Sequence, residues 1–366
     1  MASLQCLLFR RSRPEAATAG QLSLVAERNL ILTAASAAPA HEVVPSRART
    51  GGAITARTRG LAVLLTAVLA SSACGGGGSG QASGDQAEGS QRPPSASAPA
   101  NSPTEASSPA ARPAAGVPRF DHIVVVVEEN HAYTDIIGRS RAPFLNSLAA
   151  RGALLTQSYG VTYPSQPNYL AMFSGSTQGV TSNSCPHSFT APNLASALMA
   201  AGLTFIGYSE DLPAAGFTGC DSGDYVRKHN PWVNFTNLPG SVNQPMTAFP
   251  SDFNRLPHVS FVVPNLENDM HDGSVAQGDR WLQEHLGEYA DWSITHNSLL
   301  IVTADEDDKD HGNRIATIIV GAHVKPGRYS TRIDHYGLLA TLLASHRLTP
   351  FGAAAQAAPL TGVWTG

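Results

Sequence analysis

The run Ile123 to Val127 consists only of β-branched residues and constrains the fold more than any other feature of the sequence. A run without polar alternation predicts a strand that is covered on both faces. Further apolar runs predict strands at 203–208, 259–263, 299–302 and 315–320, and stretches between or beside them predict helices at 142–150, 194–201, 281–289 and 335–343. The alternation predicts an α/β fold with a mostly parallel central sheet and helices on both faces.

Residues whose side chains can bind a metal follow three of the predicted strands. These residues are Glu128, Glu129 and Asn130 after the first strand, Asp269, His271 and Asp272 after strand 259–263, and Asp305 to Asp308 after strand 299–302. A lone acidic residue after a strand is usually a solvated loop or a helix cap. Three such clusters are stronger evidence for a binding site than one, because open α/β sheets bind ligands at the carboxyl ends of their strands.

Carboxylates that are brought together repel one another and raise each other's pKa, and a cation relieves that repulsion. Carboxylate and amide oxygens suit Ca, Mg or Mn, whereas ligation by several histidines favours Zn. We therefore predict one divalent metal ion, either Ca, Mg, Mn or Zn, with a second ion as an open alternative.

A candidate nucleophile lies in the segment Thr162-Tyr163-Pro164-Ser165-Gln166-Pro167-Asn168-Tyr169. We expect Ser165 to open a helix, so that the helix amides and the positive end of the dipole face an incoming phosphate. A metal would lower the pKa of its hydroxyl. The alternatives are that Ser165 is only a helix cap, or that Thr162 is the nucleophile. The pattern Ser-x-Pro-Asn with Gly175 seven residues later resembles the nucleophile turn of the alkaline phosphatase superfamily.

Residues 120–345 resemble the bacterial phosphoesterase family that contains acid phosphatases and phosphatidylcholine-hydrolysing phospholipases C. The matching motifs are His122 to Asn130, Ser165-Gln166-Pro167-Asn168, Asn268 to Asp272, Thr303-Ala304-Asp305-Glu306 and Asp334-His335-Tyr336. The resemblance implies an alkaline phosphatase-like fold and one metal held by Glu129, Asn130, Ser165 Oγ, Asp305 and Glu306. Glu128 is the alternative to Glu129. Glu306 departs from the Asp-Asp pair of the family's acid phosphatases.

Three other polar residues are expected at this edge: Asp269, His271 and His335. We interpret His271 and His335 as phosphate contacts or as general acid and base, because those roles need a group that titrates near neutrality. The alternatives are that they join Asp269 as ligands of a second metal, or that each histidine is only a helix cap or satisfied by a carboxylate. The segment Lys228-His229-Asn230-Pro231-Trp232 is a candidate lining of the substrate entrance.

The sequence before residue 118 predicts export. Arg57 and Arg59 precede an apolar run at 61–69, small residues at 70–73 and then Cys74, which is typical of a signal peptide with a lipobox. We divide the chain into a leader at 1–74, a Gly/Ser/Pro/Ala-rich linker at 75–117, expected to be disordered, and a catalytic domain at 118–366. The protein is predicted to be a lipoprotein at the cell surface, anchored to the membrane only through the lipid, or otherwise secreted.

Two further expectations follow from composition and compartment. Cys185 and Cys220 remain as an even pair outside the leader, which predicts a disulfide in an oxidising compartment. A pair of metal ligands is the alternative.

From residue 75 onward the chain has 16 basic and 25 acidic residues. This excess of acid argues against a nucleic-acid partner, because phosphate contacts are made chiefly by Lys and Arg.

The combined prediction is an exported, metal-dependent phosphomonoesterase similar to acid phosphatases, with a serine nucleophile, a phosphoserine intermediate and a phosphate-ester substrate. The compact length of 118–366 favours this activity over that of the phospholipases. A phospholipase C or phosphodiesterase of the same family is the first alternative. A catalytically inactive surface lipoprotein that only binds a ligand is an alternative of a different class.

Overall fold

The computed structural model describes residues 116–365. The predicted leader, with Cys74, and the linker up to residue 115 lie outside the described residues, so those expectations stay predictions. Within residues 116–365, no helix combines the length and the apolar character that crossing a membrane requires.

A central sheet carries the fold. The strands of the described residues are β1 His122–Glu128, β2 Ala153–Tyr159, β3 Phe205–Ser209, β4 Asp221–Ser222, β5 Tyr225–Val226, β6 Asn243–Pro245, β7 Val259–Val263, β8 Ser298–Ala304, β9 Arg314–Gly321, β10 Gly327–Tyr329 and β11 Ile333–Asp334. Nine of them form one sheet in the order β10-β2-β9-β8-β1-β7-β3-β6, with β11 beside β2, while β4 and β5 form a separate ribbon. Strands β8, β1, β7, β3 and β6 are parallel neighbours. The predicted α/β fold with a mostly parallel sheet is confirmed.

Neither the existence of strand β2 nor the direction of strand β9 could be predicted from apolar runs. Strand β2 was not predicted, because Thr156, Gln157 and Ser158 interrupt its apolar sequence, and its register with β9 shifts between Leu155 and Ser158. Strand β9 was predicted, but it runs antiparallel to both of its neighbours, β8 and β2. Strand direction depends on how the chain returns to the sheet, which an apolar run does not encode.

The helices are α1 Tyr133–Ile136, α2 Pro143–Arg151, α3 Ser165–Ser174, α4 Leu194–Ala200, α5 Val275–Ser293 and α6 His335–Ser345. Helix α5 begins six residues before the predicted start because the Ser274 side chain accepts a hydrogen bond from Gln277 N and caps it. Helix α6 begins where predicted, since Asp334 caps the amides of Tyr336 and Gly337.

The run of β-branched residues in β1 is buried on both faces of the sheet. Ile123, Val125 and Val127 pack in one apolar cluster with residues of α3, α4 and α6. Val124 and Val126 pack in a second cluster with residues of α2 and α5. Because alternate residues of a strand point to opposite faces, this burial explains why the strand has no polar alternation; each buried valine contributes about 1.5 to 3 kcal/mol.

The predicted disulfide between Cys185 and Cys220 is present, with a Cα–Cα distance of 5.9 Å. Its two cysteines are 35 residues apart, and closing a loop of that size is worth up to about 4 kcal/mol in a chain-entropy estimate. The Cys220 carbonyl also accepts a hydrogen bond from Arg227 N at 2.8 Å. The disulfide therefore supports the short 3-10 helix Arg227–His229, which adjoins the site described next.

Candidate active site

The carboxyl ends of β7, β1 and β8 lie side by side, because β1 pairs in parallel with both of the other strands. Backbone hydrogen bonds join the loops that follow: Glu129 N donates to Asp269 O at 2.7 Å, and Asp305 N donates to Glu128 O at 3.0 Å. The three acidic clusters noted in the sequence therefore meet at one edge of the sheet.

Neighbouring glutamates at the end of β1 face opposite sides of the sheet. Glu129 is fully buried on the side of α3 and contacts the Ser165 hydroxyl. Glu128 lies beside a small apolar cavity that Leu145, Met270 and Val302 help to line, and neither of its carboxylate oxygens has a hydrogen-bond partner. Burial raises the pKa of Glu128 well above its ordinary value, which favours the neutral acid. Of the two, only Glu129 contacts the serine.

Ser165 is the first residue of α3 and is almost completely buried. Its Oγ donates a hydrogen bond to Glu129 Oε2 at 3.0 Å. Tyr169 lies one turn later on the same helix face, and its hydroxyl donates to Glu129 Oε1 at 2.5 Å. The helix ends at Gly175, whose φ of 66° is left-handed. A Cβ there would lie 2.7 Å from the Phe351 carbonyl oxygen, which explains the glycine at this spacing.

The first turn of α3 offers fewer free amides than expected. Gln166 N already donates to Asn183 Oδ1 at 3.0 Å, and Pro167 has no N–H group. Attraction of a phosphate to this end of α3 would therefore come mainly from the helix dipole and not from several free amides.

The rival nucleophile Thr162 is half-buried, and its Oγ1 donates to the Tyr163 carbonyl oxygen at 3.3 Å.

Asp305 and Glu306 follow β8 and are both buried. Asp305 Oδ1 accepts hydrogen bonds from the backbone amides of Glu306, at 2.6 Å, and of Asn130, at 3.4 Å. Asn130 has a left-handed backbone with φ 51°, a conformation that Asn tolerates better than most residues. Glu306 Oε2 accepts a hydrogen bond from Asn168 Nδ2 at 2.9 Å. The Ser-x-Pro-Asn turn thus contacts Glu129 through its serine and Glu306 through its asparagine.

His229 is a central member of the site, whereas the sequence predicts it only as part of the lining of the substrate entrance. Its ring is fully buried and stacks on Tyr169, with ring centroids 5.1 Å apart. Nε2 lies 3.2 Å from Glu129 Oε1, and Nδ1 lies 3.1 Å from Asp269 Oδ2. Ligand atoms of Glu129, His229 and Asp269 all lie within 4.8 Å of one another. The spacing of Tyr169 from Ser165 could have been noticed in the sequence, whereas nothing local indicates the position of His229.

Burial raises the pKa of every carboxyl group at this centre. It raises the pKa of Asp305 to about 7. Burial and the charge of Asp305 raise the pKa of Glu306 to about 8. The pKa values of Glu129 and Asp269 are raised well above their ordinary values, first by burial and also by the neighbouring carboxylate of Asp305. Such a group of acids is destabilising when ionised unless a cation compensates it.

The unpartnered atoms of the site fit a divalent cation. Asp305 Oδ2, Asp269 Oδ2 and Asn130 Oδ1 are buried without a hydrogen-bond partner. Neither ring nitrogen of His229 makes a hydrogen bond of good geometry, although both face carboxylate oxygens. Ser165 Oγ contacts Oε2 of Glu129, whereas Nε2 of His229 lies near the other carboxylate oxygen, Oε1. This donor set would suit an oxygen-preferring metal beside the serine and would allow a second ion between Glu129, His229 and Asp269.

The two histidines singled out from the sequence occupy different environments. His335 is buried at the start of α6, and its Nε2 contacts the Asp305 carbonyl oxygen at 2.5 Å. A carbonyl can only accept a hydrogen bond, so Nε2 carries a proton and supports the Asp305 backbone. The ring of His271 is partly exposed, with Nδ1 2.7 Å from Asp272 Oδ1 and Nε2 3.1 Å from Lys228 Nζ. The roles of both histidines in acid-base chemistry stay predictions.

The sequence is similar to those of known proteins. The sequence profile described as the Phosphoesterase family matches residues 138–349. A protein named phosphatidylinositol-3-phosphatase from Mycobacterium tuberculosis is 54% identical over 254 residues, which cover 69% of this chain and 85% of that protein. A phosphate-repressible acid phosphatase of Penicillium chrysogenum is 31% identical, over 64% of this chain and 60% of its own length.

The fold is also similar to that of a solved structure. A protein in the alkaline phosphatase superfamily from Vibrio parahaemolyticus superimposes with a TM-score of 0.50 at 14% identity, covering 69% of this chain and 72% of the other. At that identity the comparison concerns the fold alone. It agrees with the alkaline phosphatase-like architecture expected from the sequence.

Proposed function

Because the chain belongs to the phosphoesterase family and is a hydrolase of phosphate esters, we propose that it is an exported, metal-dependent phosphomonoesterase with Ser165 as its nucleophile. The observation that carries the proposal is the hydrogen bond from Ser165 Oγ to Glu129 Oε2 at 3.0 Å. A buried hydroxyl beside a buried carboxylate is arranged to lose its proton at the moment of attack.

The reaction proceeds by two in-line displacements. Ser165 Oγ attacks the phosphorus, its proton passes to Glu129, and the P–O bond to the leaving group breaks, which gives a phosphoserine. Water then attacks the phosphoserine, the Ser165–phosphorus bond breaks to release inorganic phosphate, and the proton on Glu129 returns to Ser165 Oγ. A divalent cation held by Glu129, Asn130, Asp305 and Glu306 together with Ser165 Oγ would lower the pKa of the Ser165 hydroxyl and neutralise charge on the phosphate.

The proton that the leaving oxygen needs comes from the partly exposed His271 in its doubly protonated form, which solvent supplies once Nε2 is released from Lys228. Its Nδ1 faces Asp272 at 2.7 Å, a contact that fixes the ring with Nε2 toward the entrance. In the second step the same nitrogen takes a proton from the attacking water. His335, whose Nε2 contacts the Asp305 carbonyl oxygen, is assigned to positioning Asp305.

The relative from Mycobacterium tuberculosis suggests a lipid as one substrate. That protein is named a phosphatidylinositol-3-phosphatase, and this chain covers 85% of it. Phosphatidylinositol 3-phosphate carries a phosphomonoester, so its hydrolysis needs no chemistry beyond that proposed. We set aside the alternative of an inactive binding lipoprotein, since the family and the relatives named here are those of phosphatases.

A substrate panel tests the proposed activity. We expect kcat/KM for p-nitrophenyl phosphate to exceed that for bis(p-nitrophenyl) phosphate by about 10²-fold or more, because a phosphate that is esterified once offers more charge and more free oxygens to the proposed cation. Phosphatidylinositol 3-phosphate in vesicles should also release inorganic phosphate, whereas phosphatidylcholine should not release phosphocholine. A faster reaction with the diester or with phosphatidylcholine would establish the phosphodiesterase or phospholipase C alternative instead.

Export is part of the proposal and is supported by the disulfide between Cys185 and Cys220, since such bonds persist in oxidising compartments. We expect the mature protein to begin at Cys74 and to carry a lipid there. Mass spectrometry of the N-terminal peptide from a membrane fraction would measure this directly. A Cys74→Ser variant should be released in soluble form, and an unprocessed N-terminus in the wild type would contradict the prediction.

A further inference from the structure

Lys228 lies beside the buried carboxylate centre, which includes its neighbour His229. It occupies the short 3-10 helix Arg227–His229, directly before His229, and is half-buried. The preceding Arg227 is buried and donates hydrogen bonds to the carbonyl oxygens of Thr218 and His187, at 2.6 and 2.9 Å. These bonds hold the helix in place, so that the backbone of Lys228 is fixed while its side chain reaches the entrance.

The ammonium group of Lys228 is held by a neutral histidine. Nζ lies 3.1 Å from His271 Nε2, and the opposite ring nitrogen, Nδ1, lies 2.7 Å from Asp272 Oδ1. An ammonium can only donate and a carboxylate can only accept a hydrogen bond. The proton of the neutral ring is therefore on Nδ1, and Nε2 accepts from Lys228. Asp272 and His271 thus hold the ammonium in position. Because Asp272 contacts the histidine and not Lys228 itself, the positive charge is not neutralised by an ion pair.

The positive charge of Lys228 acts on the carboxyl groups of the centre. It lowers the pKa of each of the four buried carboxyl groups, those of Glu129, Asp269, Asp305 and Glu306. The full sequence contains three lysines, and the other two, Lys309 and Lys325, are exposed. Lys309 also lowers the pKa of Glu306, but Lys228 is the lysine whose charge acts on all four carboxyl groups.

We propose that Lys228 binds a non-bridging phosphate oxygen of the substrate and thereby makes the enzyme prefer phosphomonoesters to phosphodiesters. The inference rests on the proposed function, because it assumes that the phosphate lies at Ser165. A monoester near neutral pH carries nearly two negative charges, whereas a diester carries one. In a diester, the oxygen that would hold the second charge is esterified and can no longer form a charge-assisted bond with the ammonium.

The test compares Lys228→Met with Lys325→Met, a matched control on an exposed lysine. We expect Lys228→Met to lower kcat/KM for p-nitrophenyl phosphate by about 30-fold or more, the size of one charge-assisted hydrogen bond. For bis(p-nitrophenyl) phosphate we expect a change of less than about threefold. The inhibition constant of inorganic phosphate should rise in parallel with the loss on the monoester. Lys228→Arg, which keeps the charge, should restore most of the selectivity, and Lys325→Met should behave like the wild type.

Equal losses on the monoester and the diester, with unchanged inhibition by inorganic phosphate, would overturn the role of Lys228. This outcome differs from a failure of the proposed function, which would appear in the wild-type enzyme as a preference for the diester. Even then, inhibition by inorganic phosphate would decide whether Lys228 binds phosphate. Circular dichroism and thermal unfolding of each variant establish that the comparison is made between folded proteins.

Discussion

Replacing Ser165 with alanine is expected to lower kcat for p-nitrophenyl phosphate by at least about 10³-fold, in the range found when a catalytic nucleophile is removed. Ser165 is buried and its Oγ donates to Glu129 Oε2, so no neighbouring water can readily take the same position. The fold should persist, because the lost hydroxyl takes no part in the apolar packing of α3.

Two control variants make the Ser165 experiment specific. Thr162→Val removes the rival hydroxyl, and we expect kcat to change by less than about fivefold, because Thr162 Oγ1 is directed to the Tyr163 carbonyl oxygen. Ser182→Ala changes an exposed serine and should have no effect. Rapid-quench measurements with a ³²P-labelled ester should detect phosphoserine in the wild type and in both control variants, but not in Ser165→Ala. A Ser165→Ala enzyme that retains more than a few per cent of the wild-type rate would move the nucleophile to Thr162.

Removal of divalent metal is expected to lower kcat/KM by at least about 10³-fold, and addition of a suitable cation should restore it. The reason is the group of buried carboxyl groups at Glu129, Asp269 and Asp305, because one oxygen of Asp269 and one of Asp305 have no hydrogen-bond partner. Dialysis against a chelator, metal analysis and titration with Ca, Mg, Mn and Zn salts would measure the loss, the stoichiometry and the identity of the metal. Full activity in metal-free protein would contradict the prediction.

The same metal-free protein should lose stability as the pH rises. Burial raises the pKa of Asp305 to about 7 and that of Glu306 to about 8, whereas carboxyl groups in an unfolded chain titrate near pH 4. A folded-state pKa above the unfolded-state value gives stability that is complete below about pH 4 and is lost as the pH rises through about 7 and 8. Bound cation should flatten this dependence, because it favours the ionised carboxylates.

Urea unfolding between pH 4 and 9, with and without added metal, would measure the effect. In metal-free protein we expect the free energy of unfolding to fall by about 2 kcal/mol or more over this range. Asp305→Asn should reduce both the slope and the affinity for metal, whereas Asp121→Asn, at the exposed opposite end of β1, should change neither. A metal-free protein that becomes more stable toward pH 8 would show that the carboxyl groups are not buried together.

Much of the site could be predicted because its residues follow strands. Glu129, Asp269 and Asp305 come after apolar runs that form neighbouring parallel strands, so the topology alone brings them to one edge. The choice between Glu128 and Glu129 was also within reach of the sequence, since alternate side chains of a strand face opposite sides. Only the packing of α3 on one of these sides decides which glutamate contacts Ser165.

The environments of the histidines could not be predicted. His229 approaches Glu129 and Asp269 from a 3-10 helix outside the strand ends, and no periodicity marks such a position. His335 was expected to act on the phosphate, yet its Nε2 contacts the Asp305 carbonyl oxygen. Both contacts join residues that are far apart in the sequence, and their geometry depends on loops whose course is not encoded by apolar patterns.

The sequence by itself determined the α/β architecture, the strand ends that carry carboxylates and the turn that carries Ser165, because hydrophobic periodicity and short-range spacing act within a few residues. Tertiary structure decided which carboxylate meets the serine, that His229 joins the centre, and that Lys228 faces it from the entrance. These arrangements arise from packing between distant segments, where burial shifts the pKa of each acid and fixes which polar atoms remain without a partner.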